Sequence, residues 1–416
     1  MEALAQEKVF TPGFEEFEAE HGRAAAWLGQ LRRRAFDRFV QVGFPTPKLE
    51  AWRSTGVGPI ARVPWSLEKN GQAERRHGRL PRGVRVVSLK EILAREPETV
   101  QPHLSAIAGL DRNPFAALNT AFVENGVFVE IGRGIVVEEP IELRYALAGD
   151  GEPRIAHRRV LIVAGEASQA TVVETYAGEG GQPYFTNAVT EIVVGDGAVL
   201  EHYKVQREDT AAFHVQTIAV RQQRASRFTS HNVALGGRIA RTDLDVSLDA
   251  EGSECTLNGL FVGTGTQHLD NHTTIDHAKP HCVSRELYKG ILDGKSRGVF
   301  HGKILVRPDA QKTDAMQTNK NLLLSREALV NSTPALEILA DDVKCKHGST
   351  IGQLDADAIF YLRSRGIGEE EARALLTYAF AADVVGRIRL QPIRDSIEGL
   401  LGLRLPGAAE VFREAR

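Results

Sequence analysis

The middle of the chain alternates short apolar runs with small polar corners. Over residues 122–324, β-branched and aliphatic runs are separated by Gly, Asp, Asn and Ser, and no amphipathic helical pattern interrupts them. Short apolar runs bounded by turn-forming residues predict β-strands. The runs recur every 26 to 31 residues, with starts at Leu161, Ile192, Ile218, Val246, Ile275 and Ile304. The central region is therefore a β repeat.

The length of the repeat distinguishes between β architectures. A propeller blade places four strands in roughly 40 to 45 residues, which is longer than these units. A β-sandwich is possible, but it does not require a recurring corner. Stacked coils of a parallel β-helix fit the period, because each coil buries its apolar face against the next. We expect a mainly β protein with a parallel β-helix over residues 122–348.

The N-terminal flank has a helical pattern. Over residues 14–42 apolar side chains recur at helical spacing, and Gly43, Pro45 and Pro47 end the pattern. A polar segment rich in Arg and Gly follows at residues 69–83, and we interpret it as a flexible connection. Residues 1–121 are predicted to form an N-terminal helical domain that includes this connection.

Helical patterns return after the repeat. Asp355 or Asp357 can cap a helix that stops at Gly366, and a second helix begins near Gly368. Residues 349–416 are predicted to form a C-terminal helical domain. Helices on both sides of a solenoid can protect its ends, and we expect them to act as caps here.

Composition and charge narrow the function classes. The 416 residues carry a net charge of −3 with balanced acids and bases, so neither nucleic acid nor an anionic membrane is expected as a partner. The N-terminus lacks the pattern of a signal peptide, and no apolar stretch reaches the length of a membrane span. The three cysteines are far apart, with no CxxC pair. We expect a cytoplasmic protein in a reducing compartment.

A cysteine and a histidine near the C-terminus are candidate ligands. Cys345 and His347 lie two residues apart, so on a strand they share one face. Thiolate and imidazole suit borderline-soft metals and iron–sulfur chemistry, but two ligands do not hold a metal alone. Lys344 and Lys346 would favour the thiolate if they lay close to it, although alternation places them on the other face. Cys345 as a small buried apolar residue remains an equal alternative.

The sequence contains two other sets of candidate site residues. The segment 268–281 contains four histidines, but their spacing matches no compact metal motif, and polar corners explain it better. A β-helix also suggests a polysaccharide lyase or hydrolase, in which Asp270, Asp276 and Asp314 would be the candidate carboxylates. The absent signal peptide and the aromatic content of 6% argue against this enzyme class. A cytoplasmic β-helix carbohydrate-active enzyme is kept as the alternative function.

Four segments resemble one known family. DNHTTIDHAKPHCVSRELYKGIL (270–292), VFHGKILVRPDAQKTDAMQTNKNLLLS (299–325) and DDVKCKHGSTIGQLDADAIFYLRSRGI (341–367) resemble the core of the SufB/SufD family of iron–sulfur cluster assembly proteins. GFPTPKLEAWRST (43–55) is similar to the N-terminal signature of that family. The length and the three cysteines resemble the SufD branch more than the SufB branch.

The resemblance carries expectations about fold and function. It implies a right-handed parallel β-helix between helical domains, in a scaffold subunit of the SUF complex with no turnover of its own. The implied partners are SufB, through the end of the β-helix, and the ATPase SufC, in which ATP would be hydrolysed. An isolated chain could pair with a second copy.

The resemblance also implies a site. His347 would contribute to a transient, nascent iron–sulfur cluster shared with SufB, with Cys345 beside it and no cofactor held tightly by this chain alone. Apolar residues of the C-terminal helices, Phe360, Tyr361, Phe380 and Ile388, could form a docking surface for SufC. Internal packing of these four residues is the competing interpretation.

Overall fold

The computed structural model of the protein contains a parallel β-solenoid with helices on its flanks. It describes residues 10, 13–21, 25–68, 71, 73–111, 113–147, 151–178 and 180–404. Strands dominate these residues, and the solenoid has about eight turns. The prediction of a mainly β protein with a parallel β-helix between helical regions is confirmed.

The helices lie before and after the solenoid. They are α1 (Ala26–Val42), α2 (Gly58–Ala61), α3 (Leu89–Arg95), α4 (Pro97–Val100), α5 (Pro114–Ala121), α6 (Ala356–Ser364), α7 (Glu369–Val385) and α8 (Gln391–Arg404), with a 3₁₀ turn at Glu50–Trp52. Residues 13–20 are also helical. The helix predicted over residues 14–42 is therefore two segments, because the chain leaves the helical conformation at His21 and Ala25.

The strands are β1 (Ser66–Leu67), β2 (Glu74–Arg76), β3 (Val84–Ser88), β4 (Gly126–Ile131), β5 (Ile141–Ala146), β6 (Arg154–Ala164), β7 (Gln169–Ala177), β8 (Tyr184–Val194), β9 (Val199–Arg207), β10 (Phe213–Gln222), β11 (Arg227–Ala234), β12 (Ile239–Leu248), β13 (Glu254–Gly263), β14 (His268–His277), β15 (Val283–Leu292), β16 (Arg297–Val306), β17 (Asp314–Leu323), β18 (Leu329–Ile338) and β19 (Lys344–Gly352). From β8 to β19 the strands follow one another with short turns between them, whereas α3, α4 and α5 lie between β3 and β4. The predicted domain limits of 1–121, 122–348 and 349–416 stay a prediction.

Two sheets enclose the interior of the solenoid. We name the sheets by the numbers of their strands from β4 onward. The even sheet has the order β3-β4-β6-β8-β10-β12-β14-β16-β18, and the odd sheet has the order β2-β5-β7-β9-β11-β13-β15-β17-β19. From β4 and β5 onward all neighbours are parallel, so each turn adds one strand to each sheet. Side chains alternate between the interior and the outer face along each strand.

The sequence repeat corresponds to one ladder of buried side chains. Residues paired from turn to turn in the even sheet are Ile162, Ile192, Val220, Val246, Ile275 and Ile304. All six are buried. Four of the six starts read from the sequence fall on this ladder, because every turn places an aliphatic side chain at the same interior position.

The N-terminal end of the solenoid is closed by the chain itself. Strand β3 pairs antiparallel with β4, and β2 pairs antiparallel with β5. The segment interpreted as a flexible connection therefore contains a paired strand. An aromatic cluster that includes Phe36, Phe115 and Trp65 packs the N-terminal helices against the outer face of the even sheet.

The C-terminal helices do not cap the solenoid. Helices α7 and α8 pack on the outer face of the odd sheet, where Tyr203, Leu260 and Ile291 belong to the same apolar cluster as Val384 and Leu401. The expectation of a helical cap at this end is therefore wrong. The outer face of the odd sheet is apolar over several turns, so it offers the helices more apolar contact than the end of the solenoid does.

The last turn is left open. Strands β18 and β19 end the two sheets, and their outer edges have no strand partner among the described residues. Apolar side chains here are well exposed: Leu329 52%, Ile338 41%, Leu339 55% and Ile351 51%. An unpaired strand edge beside exposed apolar residues is a surface on which another β chain can pair.

Candidate functional site at the open end

Strand β19 places Cys345 and His347 on the inward face of the last turn. Cys345 pairs in register with Ala315, and His347 pairs with Gln317. Ala315 and Gln317 are both buried in the interior. Because paired residues in parallel strands point the same way, the cysteine and histidine face the interior at its open end.

Cys345 lies in the apolar half of this end. The thiol is half-buried beside Leu336 and Val343. It packs against the cluster of Ile304, Val306, Ala310, Ala315 and Ala340. Burial raises the pKa of the Cys345 thiol, and the charge of Asp314 adds to the increase. The structure therefore gives no sign of thiolate stabilisation by Lys344 and Lys346, and a ligand role would require a cation to displace the thiol proton.

His347 lies in the polar half of the same end. Its side chain is exposed. On the same inward row of β19, Ser349 shares a 2.7 Å hydrogen bond with Ser332, which donates to Asn319 Oδ1 at 2.7 Å. Asn321 donates to the same amide oxygen at 2.5 Å. At the open end the Cys345 thiol thus packs against apolar side chains, while the exposed His347 lies on the same strand face as Ser349, which joins a network of hydroxyl and amide groups.

The chain does not complete a metal site at this end. Within the residues that the structure describes, no group of three or more His, Cys, Asp or Glu side chains is placed to hold a metal ion. Cys345 and His347 are therefore two potential ligands without a third among the described residues, and their role stays a prediction.

The four residues predicted to dock a partner separate into two pairs. Phe360 and Tyr361 on α6 are 72% and 57% exposed. Phe380 is partly buried, with Lys289 Nζ 4.5 Å from its ring centre, and Ile388 is 1% exposed within the helix–sheet core. Of the four residues, Phe360 and Tyr361 lie on the surface, whereas Phe380 is partly buried and Ile388 is buried, and docking of a partner on any of them stays a prediction.

The structure assigns structural partners to the candidate carboxylates of a carbohydrate-active enzyme. Asp276 pairs with Arg307 at 2.6 Å, and Asp314 pairs with Arg285 at 2.7 Å. Asp270 and Asp276 are six residues apart on one strand, about 20 Å at the usual rise per residue. These carboxylates do not converge on one point as a glycosidic bond requires.

The third carboxylate, Asp270, joins the N-terminal region to the solenoid. Asp270 accepts hydrogen bonds from Thr55 at 2.5 Å and from Arg241 at 2.8 Å, and His272 lies 3.1 Å away. Burial opposes ionisation, but Arg241, His272 and Thr55 outweigh it and hold the pKa of Asp270 well below its usual range. The Arg241 guanidinium also lies 3.7 Å from the ring centre of Trp52.

We call the contact between Thr55 and Asp270 the clamp. The sequence analysis did not predict it, although both residues lie in segments that carry the family resemblance. Thr55 ends the segment 43–55, and Asp270 begins the segment 270–292. The two residues are 215 positions apart, and no local pattern connects them.

Comparison with known proteins places these features in a family. The family model described as SUF system FeS cluster assembly, SufBD core domain, matches residues 146–380, and the SufBD protein N-terminal region matches residues 67–143. The chain belongs to the SufB/SufD family. The first match covers more than half of the chain and includes Cys345, His347 and helix α6.

Several relatives share this family. The chain is 37% identical over 298 residues to an iron–sulfur cluster assembly SufBD family protein of Synechocystis, which covers 70% of this chain and 66% of the relative. It is 35% identical to the iron–sulfur cluster assembly protein SufD of Escherichia coli, over 71% and 70% of the two chains. It is 34% identical to the chloroplastic protein ABCI7 of Arabidopsis thaliana, over 69% and 63%. The match thus spans about two thirds of each relative.

Membership confirms the family predicted from the four sequence segments and supports a scaffold role in the SUF system. The carbohydrate-active alternative is not favoured, in agreement with the separated carboxylates. In the part of the chain that the structure describes, no helix is both long enough and apolar enough to cross a membrane.

Proposed function

We propose that this protein is the SufD-type scaffold subunit of a SUF complex and that it carries half of a site where a nascent iron–sulfur cluster is built. The observation that supports this most directly is the open end of the solenoid, which presents Cys345 and His347 beside unpaired strands. The cluster is cargo that is passed on, so the chain itself holds no cofactor tightly.

The remaining ligands are assigned to SufB. A second solenoid that pairs with β18 and β19 would continue the sheets and cover the exposed apolar residues of the last turn. It would also bring its own side chains over Cys345 and His347. Both residues face the interior at the open end, so they lie next to the surface on which the second solenoid would stack.

Each residue has a distinct chemical role in this proposal. Cys345 binds iron as a thiolate, so its proton must leave when the metal arrives. Its apolar surroundings disfavour the free thiolate and so favour a thiol that ionises only with a cation present. His347 offers a nitrogen lone pair from the neutral ring.

The test compares variants in a complex purified with SufB and SufC under anaerobic, reducing conditions. We expect His347→Ala to lower cluster formation about tenfold or more while the complex stays intact. Ser349→Ala, on the same inward row, is the matched control. Normal assembly with His347→Ala in an intact complex would show that the chain is a structural partner only.

Cys345→Ala separates the two interpretations of the thiol. Alanine keeps most of the apolar packing but removes the sulfur. If cluster formation falls as far as with His347→Ala, Cys345 is a ligand. Unchanged cluster formation would assign Cys345 to packing within the apolar half of the open end.

We further propose that SufC docks on helix α6 and hydrolyses ATP for the complex, while this chain turns over no substrate. The Asp355 side chain caps α6 by accepting hydrogen bonds from the backbone N–H groups of Asp357 and Ala358. No residue of α6 is buried, and Phe360 and Tyr361 are its large exposed apolar side chains. A protruding helix with adjacent aromatic residues fits a groove on a partner.

Point variants test this surface better than truncation after Ser364. Removing α7 and α8 would expose the apolar outer face of the odd sheet and could unfold the chain. We expect Phe360→Asp to abolish co-purification with SufC and leave the fold intact. Leu403→Asp is the matched control, because Leu403 is 83% exposed on α8. Retained binding by Phe360→Asp would place the contact elsewhere.

The proposal also covers the cellular compartment of the protein and its oligomeric state without SufB. We place the protein in the cytoplasm of its cell, with no nucleic-acid or membrane partner. Without SufB, the same open end should pair with a second copy of the chain. Light scattering of the isolated chain would then give a dimer mass, and a monomer mass at micromolar concentration would contradict this part.

A further inference from the structure

A column of inward-facing polar side chains leads to His347. In the odd sheet, Glu286 on β15 pairs with Gln317 on β17, which pairs with His347 on β19. Successive strands lie about 4.8 Å apart, so the three side chains occupy adjacent levels of the interior. Glu286 and Gln317 are buried, whereas His347 is exposed at the end.

The Gln317 amide is held in one orientation. Its Nε2 atom donates a 2.7 Å hydrogen bond to Glu286 Oε2. This bond turns the amide nitrogen toward Glu286 and the carbonyl oxygen away from it, which is the arrangement expected while Glu286 is ionised and offers only acceptors. Space for the amide comes from Gly302, where a Cβ atom would lie 2.3 Å from Gln317 Nε2.

The Gln317 carbonyl oxygen is left without a partner. Oε1 is buried and makes no hydrogen bond to the residues that the structure describes. A buried acceptor without a donor is costly, and such atoms in native proteins are usually satisfied by a group or a water. The next inward side chain on the odd sheet is the imidazole of His347, which carries a ring N–H in every protonation state it adopts near neutral pH.

We propose that Gln317 is a positioning residue for His347: Gln317 Oε1 accepts the ring N–H, which fixes the tautomer and leaves the other ring nitrogen directed at the junction. Gln317 Oε1 is already buried, so a partner that covers the open end removes water from the imidazole and thereby favours this bond. Histidine ligands usually donate their second ring nitrogen to such an acceptor. The proposal deepens the proposed function and rests on it for the role of His347.

The test uses NMR to measure the tautomer of the His347 ring and does not depend on cluster formation. The full chain is labelled with ¹⁵N-histidine and studied in complex with SufB, or alone if the two do not associate. The ring signals of His347 are identified by their loss in His347→Asn. We expect one fixed tautomer in the native chain and in Gln317→Glu, which retains an acceptor. In Gln317→Leu the two ring-nitrogen shifts should move toward the average of both tautomers.

Asn321→Leu is the matched control, since it makes the same amide-to-aliphatic change on the inward face of the same strand. It should leave the His347 signals unchanged. If Gln317→Leu fails to fold, Gln317→Asn retracts the carbonyl by one methylene group and should give the same loss of tautomer. Native His347 signals in the folded Gln317 variant, or equal changes in the control, would overturn the proposal.

A second experiment measures the affinity for Co²⁺ of the site between the open end and SufB in the same complex. Loss of a hydrogen-bond partner behind a ligand typically lowers metal affinity 10- to 100-fold, and we expect about tenfold for Gln317→Leu. Failure of the proposed function is distinguishable. If His347→Ala leaves cluster formation normal while Gln317→Leu still frees the ring, Gln317 positions a histidine that has no part in assembly.

Discussion

The two ends of the solenoid differ in whether the edges of their terminal strands are paired. At the N-terminal end, β2 and β3 run antiparallel to the first turn and pair with its edges. At the C-terminal end, β18 and β19 have no partner on their outer edges among the described residues. Phe128 near the first end is fully buried, whereas Ile351 at the other end is 51% exposed.

The N-terminal end stops the stacking of coils, whereas the C-terminal end leaves it able to continue. An antiparallel strand ends a parallel solenoid, because the next coil would have to run in the opposite direction. The open end keeps parallel strands in register, so a second β chain could pair with them. One end therefore serves the stability of this chain, and the other is suited to a partner. The candidate ligands lie at the second end.

The largest expected effect compares large-to-small substitutions at the two ends. Phe128→Ala should lower the free energy of unfolding by about 3 to 5 kcal/mol, because it removes a fully buried ring and leaves a cavity. Ile351→Ala should change it by only about 0.5 kcal/mol, since the side chain is already half in water. Urea unfolding at fixed protein concentration measures both. Equal losses would mean that the two ends contribute alike to stability.

The second prediction concerns the buried carboxyl below the open end. Burial raises the pKa of Glu286 from 4.5 to about 7, although the hydrogen bond from Gln317 opposes the shift. A raised carboxyl pKa means that the folded state binds the proton more tightly than the unfolded state. Stability is therefore lost as pH rises from about 4.5 through 7, by roughly 3 kcal/mol in total.

Glu286→Gln should remove this loss. We expect the difference in unfolding free energy between the variant and the native chain to be small near pH 4.5. It should grow in favour of the variant up to pH 8. Denaturant unfolding at several pH values checks the slope. A difference that stays constant with pH would show that the pKa of Glu286 is the same in the folded and the unfolded chain.

The third prediction tests whether the open end is an interface. Ile351→Lys adds a charge at the strand edge and should weaken end-to-end association about 30-fold, or roughly 2 kcal/mol. Val136→Lys is the matched control, because Val136 is also 51% exposed but lies in the first turn of the solenoid. Sedimentation or light scattering over a concentration series gives both dissociation constants. Equal weakening by both lysines would show that the interface does not lie at the open end.

The smallest expected effect is at the clamp between the N-terminal region and the even sheet. Thr55→Val keeps the shape of the side chain but removes the hydroxyl that donates to Asp270 and also lies 2.8 Å from His268 Nε2, which should cost about 1.5 kcal/mol of stability. Asp270 keeps Arg241 and His272 as partners, so the loss is limited. Thr350→Val makes the same change on the exposed strand of the open end and should be neutral. Equal costs would indicate that Thr55 contributes nothing through Asp270.

Much of the architecture was determined by the sequence alone. The solenoid could be predicted because each turn repeats the same local pattern, and four of its six starts fall on one ladder from Ile192 to Ile304. The helix capped by Asp355 and ended by Gly366 was also readable, since capping depends on neighbouring residues. The shared face of Cys345 and His347 follows from strand alternation.

Only the tertiary structure decided how distant surfaces meet. It placed α7 and α8 on the side of the solenoid, buried Ile388 within that contact, and joined Thr55 to Asp270 across 215 residues. It also left the last turn open, which made Cys345 and His347 accessible. The physical reason is that periodicity and capping are properties of neighbouring residues, whereas these contacts depend on surfaces that exist only after several turns have stacked.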